Sequence, residues 1–151
     1  DVDPDYVIIG EGNSYNYENI LRAVRLVLKG ARLIGTNSDL TGPSEDGIIP
    51  ACRAMIAPIE MATGQSAYFV GKPNPLMMRT GLRILGVHSE DAVMIGDRYT
   101  DIDGAHACNL DAIGCRWGYA PAGEMEEHGA YEIIEKPEQI EEAVNRYFQT
   151  H

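Results

Sequence analysis

Basic residues are scarce in this chain of 151 residues: 12 Lys and Arg stand against 23 Asp and Glu, a formal net charge of −11. Such a balance repels phosphate backbones and anionic membranes at long range, and no local cluster of Lys or Arg offsets it. Nucleic-acid and membrane-surface partners are therefore not expected. Cysteine is sparser still. Cys52, Cys108 and Cys115 are scattered, without CxxC spacing and without any zinc-like grouping with the four histidines. They are expected to be reduced, small buried hydrophobes in a cytoplasmic protein, not a disulfide framework. No apolar run approaches the length of a membrane span. The opening stretch DVDPDYVIIG is acidic and leads directly into a strand, so no signal peptide is expected. The missing initiator Met suggests a start inside a longer parent. Internal repeats and low-complexity tracts are also absent.

What is present is a regular alternation of short apolar runs and helical periodicities. Strands are expected at 6–9, 31–35, 67–70, 92–95, 110–115 and 131–134. Helices are expected at 16–28, 52–62, 75–85, 100–108, 122–128 and 137–148, with Gly30 and Gly86 as stop signals and Pro137 suited to a first turn. Residues 36–51, TNSDLTGPSEDGIIPA, read as a polar loop rich in Gly and Pro. Strand and helix in alternation predict an α/β fold with a mostly parallel sheet and flanking helices.

The stretch VMIGDRYTDIDGA, residues 93–105, runs an apolar strand into Gly96 and then supplies Asp97, Asp101 and Asp103. Thr100 or Asp101 can cap the helix that follows, where an acid also gains from the helix dipole. Asp97 precedes that helix and is not explained by capping. Two acids four apart across a strand-to-helix loop can instead converge on a hard cation such as Mg²⁺. Both readings stand on this segment alone. In GKPNP, Lys72 lies just before a proline-started helix, either as a solvated surface lysine or as a phosphate-binding ammonium near a positive helix end. A strand-end lysine followed 25 residues later by Gly-Asp-x-x-x-Asp is more specific than either part. The combination suits one mechanism, a cation and a lysine jointly neutralising a transferred phosphoryl group.

Residues 68–101, from YFVGKPNP to VMIGDRYTD, resemble the third and fourth motifs of the haloacid dehalogenase (HAD) superfamily of phosphatases. DPDYVIIGE, GARLIGTNSD and GIIPACRAMIAPIEMATG, read in order before GKPNP, are similar to its NagD-type branch over residues 1–98. The C-terminal part, GDRYTDIDGAHACNLDAIGCRWGY, is more similar to phosphoglycolate-phosphatase-type members. The resemblance implies a Rossmann-like HAD core half at 71–151 and a partial α/β cap segment at 1–70. It also implies a Mg²⁺ cofactor, with Asp97 as a direct ligand and Asp101 as a second acid supporting the metal, directly or through water. Lys72 becomes the phosphate-binding, catalytic lysine for a small phosphorylated metabolite. Asn37 and Asp39, in the loop 36–50, face the substrate by resemblance; as bare residues they read equally well as an Asx-rich turn. Arg53 departs from the NagD-type pattern, which has a small glycine there.

The same resemblance exposes a gap. Family phosphatases attack phosphorus with an aspartate in a DxDGT-like motif after the first core strand. DVDPD precedes a strand, and DIDGA at 101–105 sits on a helix, so neither fills that place. The Ser/Thr of the second motif is missing as well. The expected function is therefore a Mg²⁺-dependent HAD-like phosphatase, here a fragment or shortened form without its nucleophile. The alternative is a catalytically inactive α/β binding or structural module, able to form homo-oligomers through an exposed sheet edge.

Overall fold

The computed structural model describes residues 2–150. The first acid of DVDPD and the last residue of the 71–151 segment, Asp1 and His151, lie outside the described residues. The chain divides into two compact units, Asp1–Gly71 and Lys72–His151.

In the first unit, β1 (Tyr6–Ile9), β2 (Arg32–Gly35) and β5 (Tyr68–Phe69) form a parallel sheet in the order β1-β2-β5. Helix α1 (Tyr17–Leu28) opens at Asn16, whose side chain accepts from Asn19 N at 2.9 Å. Its apolar stripe, with Ala23 and Val27 fully inside, meets Val7 and Leu33 of the sheet and Ile56 and Ile59 of α2 (Cys52–Thr63). Pro58 lies within α2, and the helix stops at Gly64 in the left-handed region, where a residue without Cβ is favoured.

The expected loop at 36–51 is corrected in part. Residues 41–50 form an antiparallel hairpin, β3 (Thr41–Ser44) against β4 (Gly47–Pro50), turning at Glu45 and Asp46 with Gly47 at φ +117°. Neither strand buries a side chain, so the hairpin has no apolar alternation to announce it.

In the second unit, β6 (Val93–Gly96), β7 (Asp111–Cys115) and β8 (Glu132–Ile134) form another parallel sheet in the order β6-β7-β8. β7 is central, and after Asp111 its residues are buried because both of its faces are covered. Ala112 packs with Ile102 and Ala105 of α4 (Tyr99–His106) and Met125 of α5 (Glu124–Glu127). Ile113 and Cys115 point the other way, to Ile134 and to Ala143 of α6 (Ile140–Thr150). The expected helix at 137–148 is a short 3₁₀ turn, Pro137–Gln139, followed by α6. Helix α3 (Pro75–Leu85) keeps its expected bounds, yet none of its residues is fully buried. Leu76, Met77, Ile84 and Leu85 are exposed on it. β6 is an edge strand whose four residues are only half-buried. The α/β class with parallel sheets is as expected, divided between two sheets. No helix among the described residues is long and apolar enough to cross a membrane.

Candidate functional site

Lys72, Asp97 and Asp101 come together in the second unit, for reasons that begin with one badly capped helix. Arg98 occupies the N-cap place of α4. An arginine side chain carries only donors and cannot accept from first-turn amides. Asp101, the third helical residue, compensates: its Oδ2 accepts from the backbone N–H groups of Asp97 and Arg98, both at 3.1 Å. This is the returning half of a capping box. The Lys72 ammonium donates to the other oxygen, Oδ1. Asp101 is 2% exposed. Three donors on its two oxygens supply the pairing a buried charge requires. Gly96 permits the approach, since a Cβ there would sit 2.4 Å from Asp101 Cβ.

Lys72 is more open, with 36% of its side chain accessible. It immediately precedes Pro73 and Asn74, and the Asn74 side chain caps α3 by accepting from Leu76 N at 2.9 Å. The ammonium thus stands by the first turn of α3 in sequence and the first turn of α4 through Asp101. Helix N-termini of this kind favour anions.

Asp97 is half-buried just beyond the carboxyl end of β6. Its Oδ2 accepts from the backbone N–H of Tyr119 at 2.8 Å. That contact brings the loop 116–123 against the acid so closely that a Cβ on Gly118 would lie 2.1 Å from Asp97 Cβ. Its Oδ1 has no protein partner among the described residues. Cys115, at the end of β7, is buried beside the two acids. Burial, then the charges of Asp97 and Asp101, push its thiol up.

Among the described residues, no group of three or more His, Cys, Asp or Glu is arranged to hold a metal ion. Mg²⁺, however, commonly takes one or two carboxylates and completes its shell with water and phosphate oxygens. The open oxygen of Asp97 fits one such place. Asp101 already has both oxygens hydrogen-bonded to protein donors.

The other acids of this region are committed elsewhere. Asp103 pairs with His128 Nδ1 at 2.7 Å, and the His128 ring lies 5.1 Å from that of Tyr99. Asn37 and Asp39 belong to the first unit. Asn37 Nδ2 donates to Glu11 Oε1 at 2.8 Å, while its Oδ1 accepts from Asp39 N at 3.1 Å, an Asx turn. Glu11 Oε1 also accepts from Cys52 N at 3.2 Å, at the start of α2. Arg53 lies over the Phe69 ring at 5.0 Å.

Two contributors had no signal in the sequence. The Tyr119 amide acts through its backbone, which residue type does not reveal. Glu124 acts across 25 positions: its Oε1 accepts from Tyr99 N at 3.0 Å and Arg98 Nε at 2.9 Å. Burial alone would raise its carboxyl, but the hydrogen bonds from Arg98 and Tyr99, with the charges of Arg98 and His128, bring it below the usual range.

Residues 69–144 match the HAD-hydrolase-like family. The chain is 45% identical over 126 residues to the dihydroxyacetone phosphatase of Corynebacterium glutamicum (strain R), covering 83% of this chain and 46% of that protein. It is 42% identical over 114 residues to the ribonucleotide monophosphatase NagD of Escherichia coli (strain K12), covering 75% and 44% respectively. Among solved structures, the p-nitrophenyl phosphatase from Archaeoglobus fulgidus aligns with a TM-score of 0.83 at 29% identity, over 92% of this chain and 56% of that one. The chain thus spans about half the length of the curated relatives it matches.

Proposed function

This chain belongs to the HAD-hydrolase-like family, and we propose that it carries the phosphate- and metal-binding half of a Mg²⁺-dependent phosphatase for small phosphomonoesters. The observation that carries this reading is a half-exposed Lys72 ammonium and an open Asp97 oxygen, both fixed by the buried Asp101. Lys72 binds the phosphate of a small phosphorylated metabolite and offsets its charge. Asp97 holds Mg²⁺, which when bound neutralises charge on the phosphoryl oxygens. Asp101 positions both groups without touching substrate. Residues 1–70 make a partial cap-like segment and 71–151 the C-terminal half of a HAD-like core. Asn37 and Asp39 contribute to substrate recognition from the cap side. Three unbridged cysteines suit a reducing, cytoplasmic setting.

A family nucleophile is not among these residues. Asp101 is held by three donors, Asp103 is paired with His128, and Asp3 and Asp5 precede β1, where the motif must follow a strand. The covalent step, attack of an aspartate oxygen on phosphorus with departure of the alcohol, therefore needs a carboxylate from outside this sequence. The folded 151-residue chain is expected to release no phosphate from p-nitrophenyl phosphate with Mg²⁺. Turnover that disappears in Asp97→Ala would overturn the missing nucleophile and return the N-terminal acids to consideration.

The second reading, a self-associating module without turnover, is favoured by the apolar edge strand β6 and the exposed apolar residues of α3. On that reading, light scattering at high concentration gives a dimer or larger particle. A clean monomer removes it.

A further inference from the structure

Asp97 is held from two sides, and both sides are tied to one atom, Glu124 Oε1. On its own side, the segment 97–99 enters α4, whose first amide, Tyr99 N, donates to Glu124 Oε1 at 3.0 Å. On the other side, the loop 116–123 donates Tyr119 N to Asp97 Oδ2 at 2.8 Å and then enters α5, where Glu124 is the first residue. The same Oε1 takes Arg98 Nε at 2.9 Å. The guanidinium of Arg98, which has no acceptor to offer the helix amides, lies over the Tyr99 ring at 5.6 Å. The first amide of α4 thus finds its acceptor across the fold, at the start of the next helix.

We infer that Glu124 is a positioning residue: it locks the loop after β6 to the loop after β7, and so aims the open oxygen of Asp97. This inference rests on the proposed metal-binding role of Asp97. It differs from an ordinary surface ion pair in one respect. A surface pair joins two side chains, whereas Glu124 also takes a backbone donor adjacent to the segment it fixes, with only 15% of its side chain accessible. Glu126, two residues on, provides the contrast. It pairs with Arg116 at 2.6 Å, and 49% of its side chain is accessible.

The test uses the full chain with Mg²⁺ as the probe, comparing wild type, Glu124→Ala, Glu124→Gln and Glu126→Ala. Loss of a residue that orients a metal ligand typically weakens metal affinity about ten- to a hundredfold. Glu124→Ala is expected to fall in that range by calorimetric titration of folded protein. Glu124→Gln, which keeps an oxygen for Tyr99 N, recovers part of the affinity, and Glu126→Ala leaves it unchanged. Hydrogen exchange at the Tyr119 amide is the second readout, because it does not depend on metal. Its protection falls in Glu124→Ala and holds in Glu126→Ala. Unchanged Tyr119 protection in Glu124→Ala overturns the inference, as does unchanged Mg²⁺ affinity in that variant. If wild type itself fails to bind Mg²⁺, the metal role of Asp97 falls, and Tyr119 exchange alone decides whether Glu124 locks the loops.

Discussion

Replacing Asp101 by alanine is expected to destabilise the chain by roughly 3 kcal/mol, because it removes the acceptor of two backbone amides and the partner of Lys72 together. Each orphaned amide at the start of α4 costs about 1–3 kcal/mol when water does not replace the lost bond. Burial of Asp101 at 2% exposure limits that replacement. The Lys72 ammonium is half-open and re-solvates, so its share of the loss is the smaller one. Trp117 is the only tryptophan and lies in the same unit, so its fluorescence reports urea unfolding there. With a slope of about 2 kcal/mol/M, the midpoint falls by about 1.5 M. Asp103→Ala serves as a control, since its pair with His128 leaves 39% of the Asp103 side chain accessible and is worth at most about 1 kcal/mol. A midpoint in Asp101→Ala equal to that of the control would mean that the buried triad does not hold the loop together.

That expectation separates what the sequence disclosed at this site from what it could not. The strand–turn–helix around Asp97 was legible because β6 is a short apolar run ended by glycine and α4 begins within a few residues. The double reading of Asp101, cap or metal support, could not be decided locally. Its outcome depends on Lys72, 29 positions away, and on whether the carboxylate is left with an unengaged oxygen. In the structure both oxygens are engaged, one by two backbone amides, as a cap would be, and the other by Lys72. The hairpin β3–β4 was illegible for the opposite reason. Its strands TGPS and GIIP bury nothing, so no alternation marks them, and their Gly and Pro residues read as loop. Glu124 was illegible because a single acid at the start of a four-residue helix looks like ordinary helix-dipole charge. Only the fold brings it to Tyr99 and Arg98.

The same geometry separates the roles of the two acids in a way that one titration can read. Asp101 has both oxygens on protein donors, while Asp97 spends one oxygen on Tyr119 N and leaves the other open. A ligand that binds only the folded state stabilises it by about 2.7 kcal/mol at a hundred times its dissociation constant. Mg²⁺ is therefore expected to raise the melting temperature of the wild-type chain progressively with concentration. Asp97→Asn is expected to abolish that rise while melting near the wild-type value without metal, because an amide oxygen still accepts from Tyr119 N. Asp101→Asn should do the reverse. It melts early without metal, since its amide would point donors at Lys72 or at the two backbone N–H groups, yet it keeps a weakened Mg²⁺ response. An equal rise in Asp97→Asn and wild type would place the cation elsewhere on this acidic surface. The open oxygen of Asp97 would then be no more than a solvated end of the carboxylate that holds the Tyr119 loop.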